Sequence, residues 1–204
     1  MTNERSASPS LFLIAGPNGA GKTTYAFRHI RSVSGSAHFV NLDEIARGLS
    51  PLDPPAGAQR AARVAIDLTR TLVASKTSFS METTLSGRTH LRTLEEARKE
   101  GFRTVLLYFA VADPAICLTR IARRVAEGGH DVPEPDVRRR FVRSLQNLPA
   151  YAEHCDLWRV FDANSAPIKV VAEGGPGRRS FLEEDDGLPD ALRAWLASLP
   201  PDEG

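Results

Sequence analysis

Long apolar runs are absent from this chain of 204 residues. No stretch approaches the ~20 residues needed to span a bilayer, and Met1 to Ser10 lacks the apolar centre of a signal peptide. The expectation is a soluble, cytoplasmic protein with no membrane partner. Cysteine is scarce as well: Cys117 and Cys155 are the two present. They lie far apart without metal-ligand spacing, which predicts reduced thiols rather than a disulfide framework or a zinc cluster. A surplus of one charge is also missing, because 26 Lys and Arg against 25 Asp and Glu leave a net charge of +1. Nothing global therefore draws the chain to nucleic acid or a membrane surface. Lysine itself is rare, four of the 26 basic residues, so the cationic chemistry rests on arginine.

What the chain does have is a phosphate-binding loop. Gly16, Pro17, Asn18, Gly19, Ala20, Gly21, Lys22, Thr23 and Thr24 follow the apolar run Leu11 to Ala15, matching G-x-x-x-x-G-K-[ST] at the end of a strand. Glycines let backbone N–H groups curl around phosphate oxygens, Lys22 brings positive charge to the β- and γ-phosphates, and the Thr23 hydroxyl suits Mg²⁺. A helix opening near Gly21 adds its N-terminal dipole. The cofactors expected are ATP and Mg²⁺.

Apolar runs alternate with helical patterns, which predicts an α/β fold, a mostly parallel sheet flanked by helices. Strands are expected at 10–15, 37–41, 77–82, 103–111, 157–162 and 167–172, and helices at 21–33, 57–75, 88–100, 113–127, 135–147 and 188–198. Asp113 before Pro114 reads as a cap with proline at the first helical position, and Gly101 as a helix stop. Ser50 to Pro55 and Gly174 to Asp186 read as surface loops. The length suits one domain over 10–199, with flexible ends at 1–9 and 200–204.

Several polar residues gather at the edge of the sheet where open α/β folds bind ligands. Asp43, after the second strand, can accept a proton from an attacking hydroxyl or hold Mg²⁺ through water; it can also cap the segment Glu44 to Gly48. Glu82 and Thr83, after the third strand, can orient a hydroxylated acceptor. Arginines crowd Arg120 to Arg143, seven in 24 residues, on two helices joined by Gly128-Gly129. That pattern predicts a lid over bound phosphates. A nucleic-acid backbone is the competing partner for so many arginines, but no interleaved aromatics support it. His130, on the joining loop, lacks metal-ligand partners and can contact substrate.

The phosphate loop, Asn41-Leu42-Asp43, Met81 through Arg88, and Arg124-Val125 through Gly128-Gly129-His130-Asp131-Val132-Pro133 together resemble the zeta-toxin family of P-loop kinases, and more closely its short chromosomal branch of predicted ATPases. The resemblance spans roughly residues 10 to 165. It implies a P-loop kinase-like three-layer sandwich with an Arg-rich lid, ATP·Mg²⁺ on the loop, and a sugar nucleotide such as UDP-N-acetylglucosamine as acceptor. Carried over by position, Lys22 binds phosphates, Asp43 is the base, and Arg124 (or Arg123) is the lid arginine. Glu82 holds the acceptor; independently of the resemblance, Thr83, Arg88, His130 and Arg139 are further candidate substrate contacts. A toxin–antitoxin setting would add an antitoxin protein as partner. The chain departs from the family where a second phosphate-facing arginine precedes a proline; here His130 stands ahead of Pro133, with Arg138 to Arg140 as substitutes.

Two other functions compete. A regulatory ATP-binding switch or an ATPase without a small-molecule acceptor would use the same loop. An ATP-binding cassette fits poorly, because Leu85-Ser86-Gly87 is followed by Arg88-Thr89 and Asp113 by Pro114 rather than by a catalytic Glu.

Overall fold

The computed structural model describes residues 8–183 and 185–202. Five strands run parallel: β1 (Ser10–Ala15), β2 (Phe39–Val40), β3 (Phe79–Thr83), β4 (Arg103–Ala110) and β5 (Leu157–Asp162). Two more, β6 (Lys169–Gly175) and β7 (Arg178–Leu182), are antiparallel, and the order across the seven-stranded sheet is β2-β3-β1-β4-β5-β6-β7.

The strands are apolar on both sides because helices cover both faces. Along β1, Leu11, Leu13 and Ala15 join one core cluster while Phe12 and Ile14 join the other, as the two-residue repeat of a strand requires. One face is covered by α4 (Pro54–Ala74), α5 (Thr89–Lys99), α8 (Asp190–Ser198) and part of α7 (Glu134–Glu153). The other face receives α6 (Pro114–Ala126) and the helix after the phosphate loop. That helix is broken into α1 (Lys22–Tyr25), a π-helical stretch Ala26–Ile30, and α2 (Arg31–Ser34). The architecture is a P-loop kinase-like α/β fold with a mostly parallel sheet. Among the described residues no helix is long and apolar enough to cross a membrane.

Two helix ends fall where the sequence places them. The Asp113 side chain accepts from the Ala115 N–H ahead of Pro114, and Gly101 follows α5 with φ of 83°.

Three expectations need correction. Gly174 to Asp186 is largely not a loop: Gly174 and Gly175 end β6, Pro176-Gly177 makes the turn, and Arg178–Leu182 is a strand. Its glycines and arginines hid a hairpin whose turn chemistry they supply; Glu184 lies outside the described residues. Pro54 and Pro55 belong to the first turn of α4, where their missing N–H groups cost nothing. A helix α3 (Leu42–Leu49) stands where only a short capped segment was expected, and its cap is Asn41, not Asp43. Where they are described, both ends make backbone hydrogen bonds. The Pro9 carbonyl accepts from Arg103 N–H, and the Asp202 N–H donates to the Arg179 carbonyl at 2.7 Å. Residues 1–7 and 203–204, also expected to be flexible, lie outside the described residues.

Candidate functional site

Register brings the polar residues together. In the parallel ladder Ile14 pairs with Glu82, Ala15 with Thr83, and Val40 with Met81. The carboxyl ends of β1, β3 and β2 therefore finish side by side, with the loop Gly16 to Gly21 rising from β1 into α1. The loop sits on α6: a Cβ on Gly19 would stand 2.7 Å from the Cys117 carbonyl oxygen, so only glycine permits this approach.

Lys22 is 5% exposed. Its ammonium donates to the Pro17 carbonyl at 2.8 Å and lies 3.7 Å from Glu82 Oε1. Burial lowers its pKa, while the charges of Glu82 and Asp43 oppose that shift and Arg124 adds to it. Glu82 is the hub. Its Oε2 accepts from the Thr23 hydroxyl at 2.8 Å and from the Asn41 amide at 2.8 Å. Asn41 is buried, and its Oδ1 accepts from the backbone N–H groups of Asp43 and Glu44.

Asp43 itself is exposed in the first turn of α3 and lies near enough for its charge to act on Lys22. The Thr83 hydroxyl is spent on the Leu85 N–H at 3.1 Å. Arg88 is exposed and precedes α5. The loop between them is fastened from α7, where Asn147 donates to the Leu85 carbonyl at 2.7 Å and the Tyr151 hydroxyl to the Gly87 carbonyl at 2.8 Å.

The arginines separate into two groups. Arg123, Arg138 and Arg139 turn outward into pairs with Glu127, Glu134 and Asp136. Their charge is largely neutralised on the surface, unlike a phosphate-binding stripe. Arg124, Arg120 and Arg140 turn inward. Arg124 donates to the His130 carbonyl, and its Nε is buried without a partner among the described residues. Arg120 reaches the Gly19 carbonyl at 3.4 Å and the Asn164 carbonyl at 2.7 Å. Arg140 reaches the Asn18 side chain in the phosphate loop at 3.4 Å. The expected substrate contact Arg139 thus faces its own helix, and its neighbour Arg140 faces the loop. His130 is half-buried and contributes a backbone oxygen to Arg124 rather than a ring contact.

Beside the loop opens a cavity of about 680 Å³ whose lining includes Gly21, Tyr25, Phe109, Arg120, Phe161 and Ala163. Phe109 and Phe161 stack at 4.8 Å on its wall. Its size and the aromatic rings on its wall suit the base and sugar of a nucleotide whose phosphates lie on the loop. Cys117, beneath the loop, is buried, which pushes its thiol up to about 11 and leaves it unreactive.

Sequence reasoning missed two of these residues as members of the site. Asn41 carried one usable signal: an Asn ahead of Asp43-Glu44 is a helix cap. The inward turn of Arg120 carried none, because nothing in the spacing of three neighbouring arginines says which of them faces a loop some hundred residues earlier.

Residues 11–148, two thirds of the chain, match the model of a protein family described as an AAA domain. A Haemophilus influenzae protein described only as uncharacterized is 34% identical over 128 residues, covering 62% of this chain and 88% of its own length. Among solved structures, a chain of the AvrRxo1-ORF1:AvrRxo1-ORF2 complex with sulphate ions superposes with a TM-score of 0.69 at 18% identity. It covers 98% of this chain, which spans 66% of that one. The same complex crystallised with ATP gives 0.67. A chain of the PezAT chromosomal toxin–antitoxin system of Streptococcus pneumoniae gives 0.65 at 16% identity, covering 82% of this chain and 72% of its own. At such identities these likenesses establish the fold alone.

Proposed function

From the premise that this chain belongs to the AAA-domain family whose model it matches, we propose that it is an ATP-dependent small-molecule kinase of zeta-toxin type. The observation that carries the reading is the cluster of Lys22, Thr23, Glu82 and Asn41 at the strand ends, with the Asp43 charge within reach of Lys22.

In this reading the triphosphate lies along Gly16 to Thr24, with its base and sugar in the cavity beside Arg120. Arg124 and Arg140 supply guanidinium charge to the phosphates from the lid. The acceptor hydroxyl approaches between Asp43 and the β3 end. Its oxygen bonds to the γ-phosphorus as its proton passes to Asp43, and the bond from phosphorus to the β,γ-bridging oxygen breaks, leaving ADP. Mg²⁺ fits a donor set of the Thr23 hydroxyl with Glu82 behind it, with Asp43 in reach through water, and when bound it neutralises charge on the β- and γ-phosphates. Among the described residues no three His, Cys, Asp or Glu side chains gather into a metal site of their own.

Glu82 therefore moves from acceptor binding toward the metal side of the reaction. The acceptor we propose is a sugar nucleotide such as UDP-N-acetylglucosamine, and an antitoxin-type protein is the partner to seek, by analogy with the PezAT toxin–antitoxin system above. The test is transfer from γ-labelled ATP to a panel of sugar nucleotides. Asp43→Asn should keep ATP affinity and lower transfer by roughly 10²–10⁴-fold. Transfer by that variant at the wild-type rate would sink the base assignment. ATP binding with no labelled product from any acceptor would point instead to a switch.

A further inference from the structure

We infer that Asn41 is a positioning residue that ties the helix carrying Asp43 to Glu82 through one buried amide. This rests on the reaction proposed above. The amide is 4% exposed. Its oxygen accepts from Asp43 N–H at 2.9 Å and Glu44 N–H at 3.1 Å, capping α3. Its nitrogen donates to Glu82 Oε2 at 2.8 Å. The partners settle which end is which, because two N–H groups demand an oxygen and a carboxylate demands a donor.

The choice of residue follows from these two demands. A helix cap needs only an acceptor, and Asp or Ser would serve as well. Donating to a carboxylate while capping needs an amide. The same Glu82 oxygen also accepts from Thr23 at 2.8 Å, so Asn41 sets the carboxylate that orients the phosphate-loop hydroxyl. Its other end sets the first turn of α3, and hence the direction of Asp43. One side chain thereby fixes the distance between the proposed base and the phosphate side of the site, where a displacement of about 1 Å costs orders of magnitude in rate.

Three full-length variants test this. Asn41→Ser keeps a cap but cannot reach Glu82; its kcat for Mg·ATP turnover should fall about 10- to 100-fold, as for other residues that orient ligands from behind, with KM for ATP little changed. Asn41→Asp keeps the cap and sets two carboxylates face to face, so its Tm should fall. Asn41→Asp combined with Glu82→Gln reverses the polarity of the same hydrogen bond and should recover that Tm, a readout independent of turnover. An Asn41→Ser variant with wild-type kcat, or an Asn41→Asp variant with wild-type Tm, overturns the inference and leaves Asn41 a cap alone. A wild-type chain that neither binds nor turns over ATP overturns the proposed kinase function, and the positioning role with it.

Discussion

Replacing Gly19 by alanine probes the contact on which the geometry of the nucleotide site depends. Gly19 has φ of 79°, and a Cβ there would lie 2.7 Å from the Cys117 carbonyl oxygen and 3.1 Å from its Cα. Both atoms belong to the backbone of α6, so no flexible side chain can swing aside. The left-handed backbone costs an alanine roughly 1–2 kcal/mol, and the overlap with α6 adds roughly 1–3 kcal/mol. The expected loss of stability is thus roughly 2–5 kcal/mol, a fall in Tm of roughly 4–20 °C for a chain of this size.

Gly21 provides the matched comparison. Its φ is 89°, but nothing stands within 4 Å of the corresponding Cβ, so Gly21→Ala should show the backbone cost of roughly 1–2 kcal/mol alone. The two variants would be compared by urea denaturation and by ATP affinity. Gly19→Ala should weaken ATP as well, because α6 carries Arg120, whose guanidinium reaches the Gly19 carbonyl, and Arg124. If Gly19→Ala proved no less stable than Gly21→Ala, the close packing of the loop on α6 would be refuted.

Two further outcomes follow from the same structure. Burial lowers the Lys22 pKa below its ordinary 10.5, so between that lowered value and 10.5 the unfolded chain binds more protons than the folded one, and stability from this group rises with pH. The stability difference between wild type and Lys22→Met, measured by denaturation from about pH 7 upward, should therefore shift in favour of wild type as pH rises; a flat or opposite slope would contradict the burial. Tyr151→Phe removes the bond from its hydroxyl to the Gly87 carbonyl and should cost about 1 kcal/mol, with faster amide exchange localised to the loop after β3; unchanged exchange there would show that α7 does not hold the loop.

The elements most readable in the sequence were those with strong local signals. β1 and β5 fall at the expected residues, and α6 begins at Pro114 as its cap predicts. The phosphate loop was legible because its glycines answer a purely local demand, backbone curvature around phosphate. The strand β7 that completes the hairpin after β6 was not, since a strand rich in arginine and glycine shows no two-residue apolar alternation, and its pairing comes from β6 rather than from its own side chains. Nor was the full length of α7, which runs to Glu153 through Pro149, because packing of Leu148, Tyr151 and Ala152 into the core outweighs the break that an internal proline suggests.

Within the site the same division holds. The amino-acid sequence by itself determined the fold class, the glycine-rich loop after β1, and the supply of Lys22, Thr23, Asp43, Glu82 and the arginines of α6 and α7. All of these rest on short-range chemistry or on periodicity. Only the tertiary structure decided that Glu82 meets Lys22, Thr23 and Asn41, that Arg140 rather than Arg139 faces the loop, and that Gly19 bears on α6. Those contacts join residues 41 to 122 positions apart. Their partners are chosen by strand register and helix rotation, which depend on the packing of the whole sheet and which no local stretch of sequence carries.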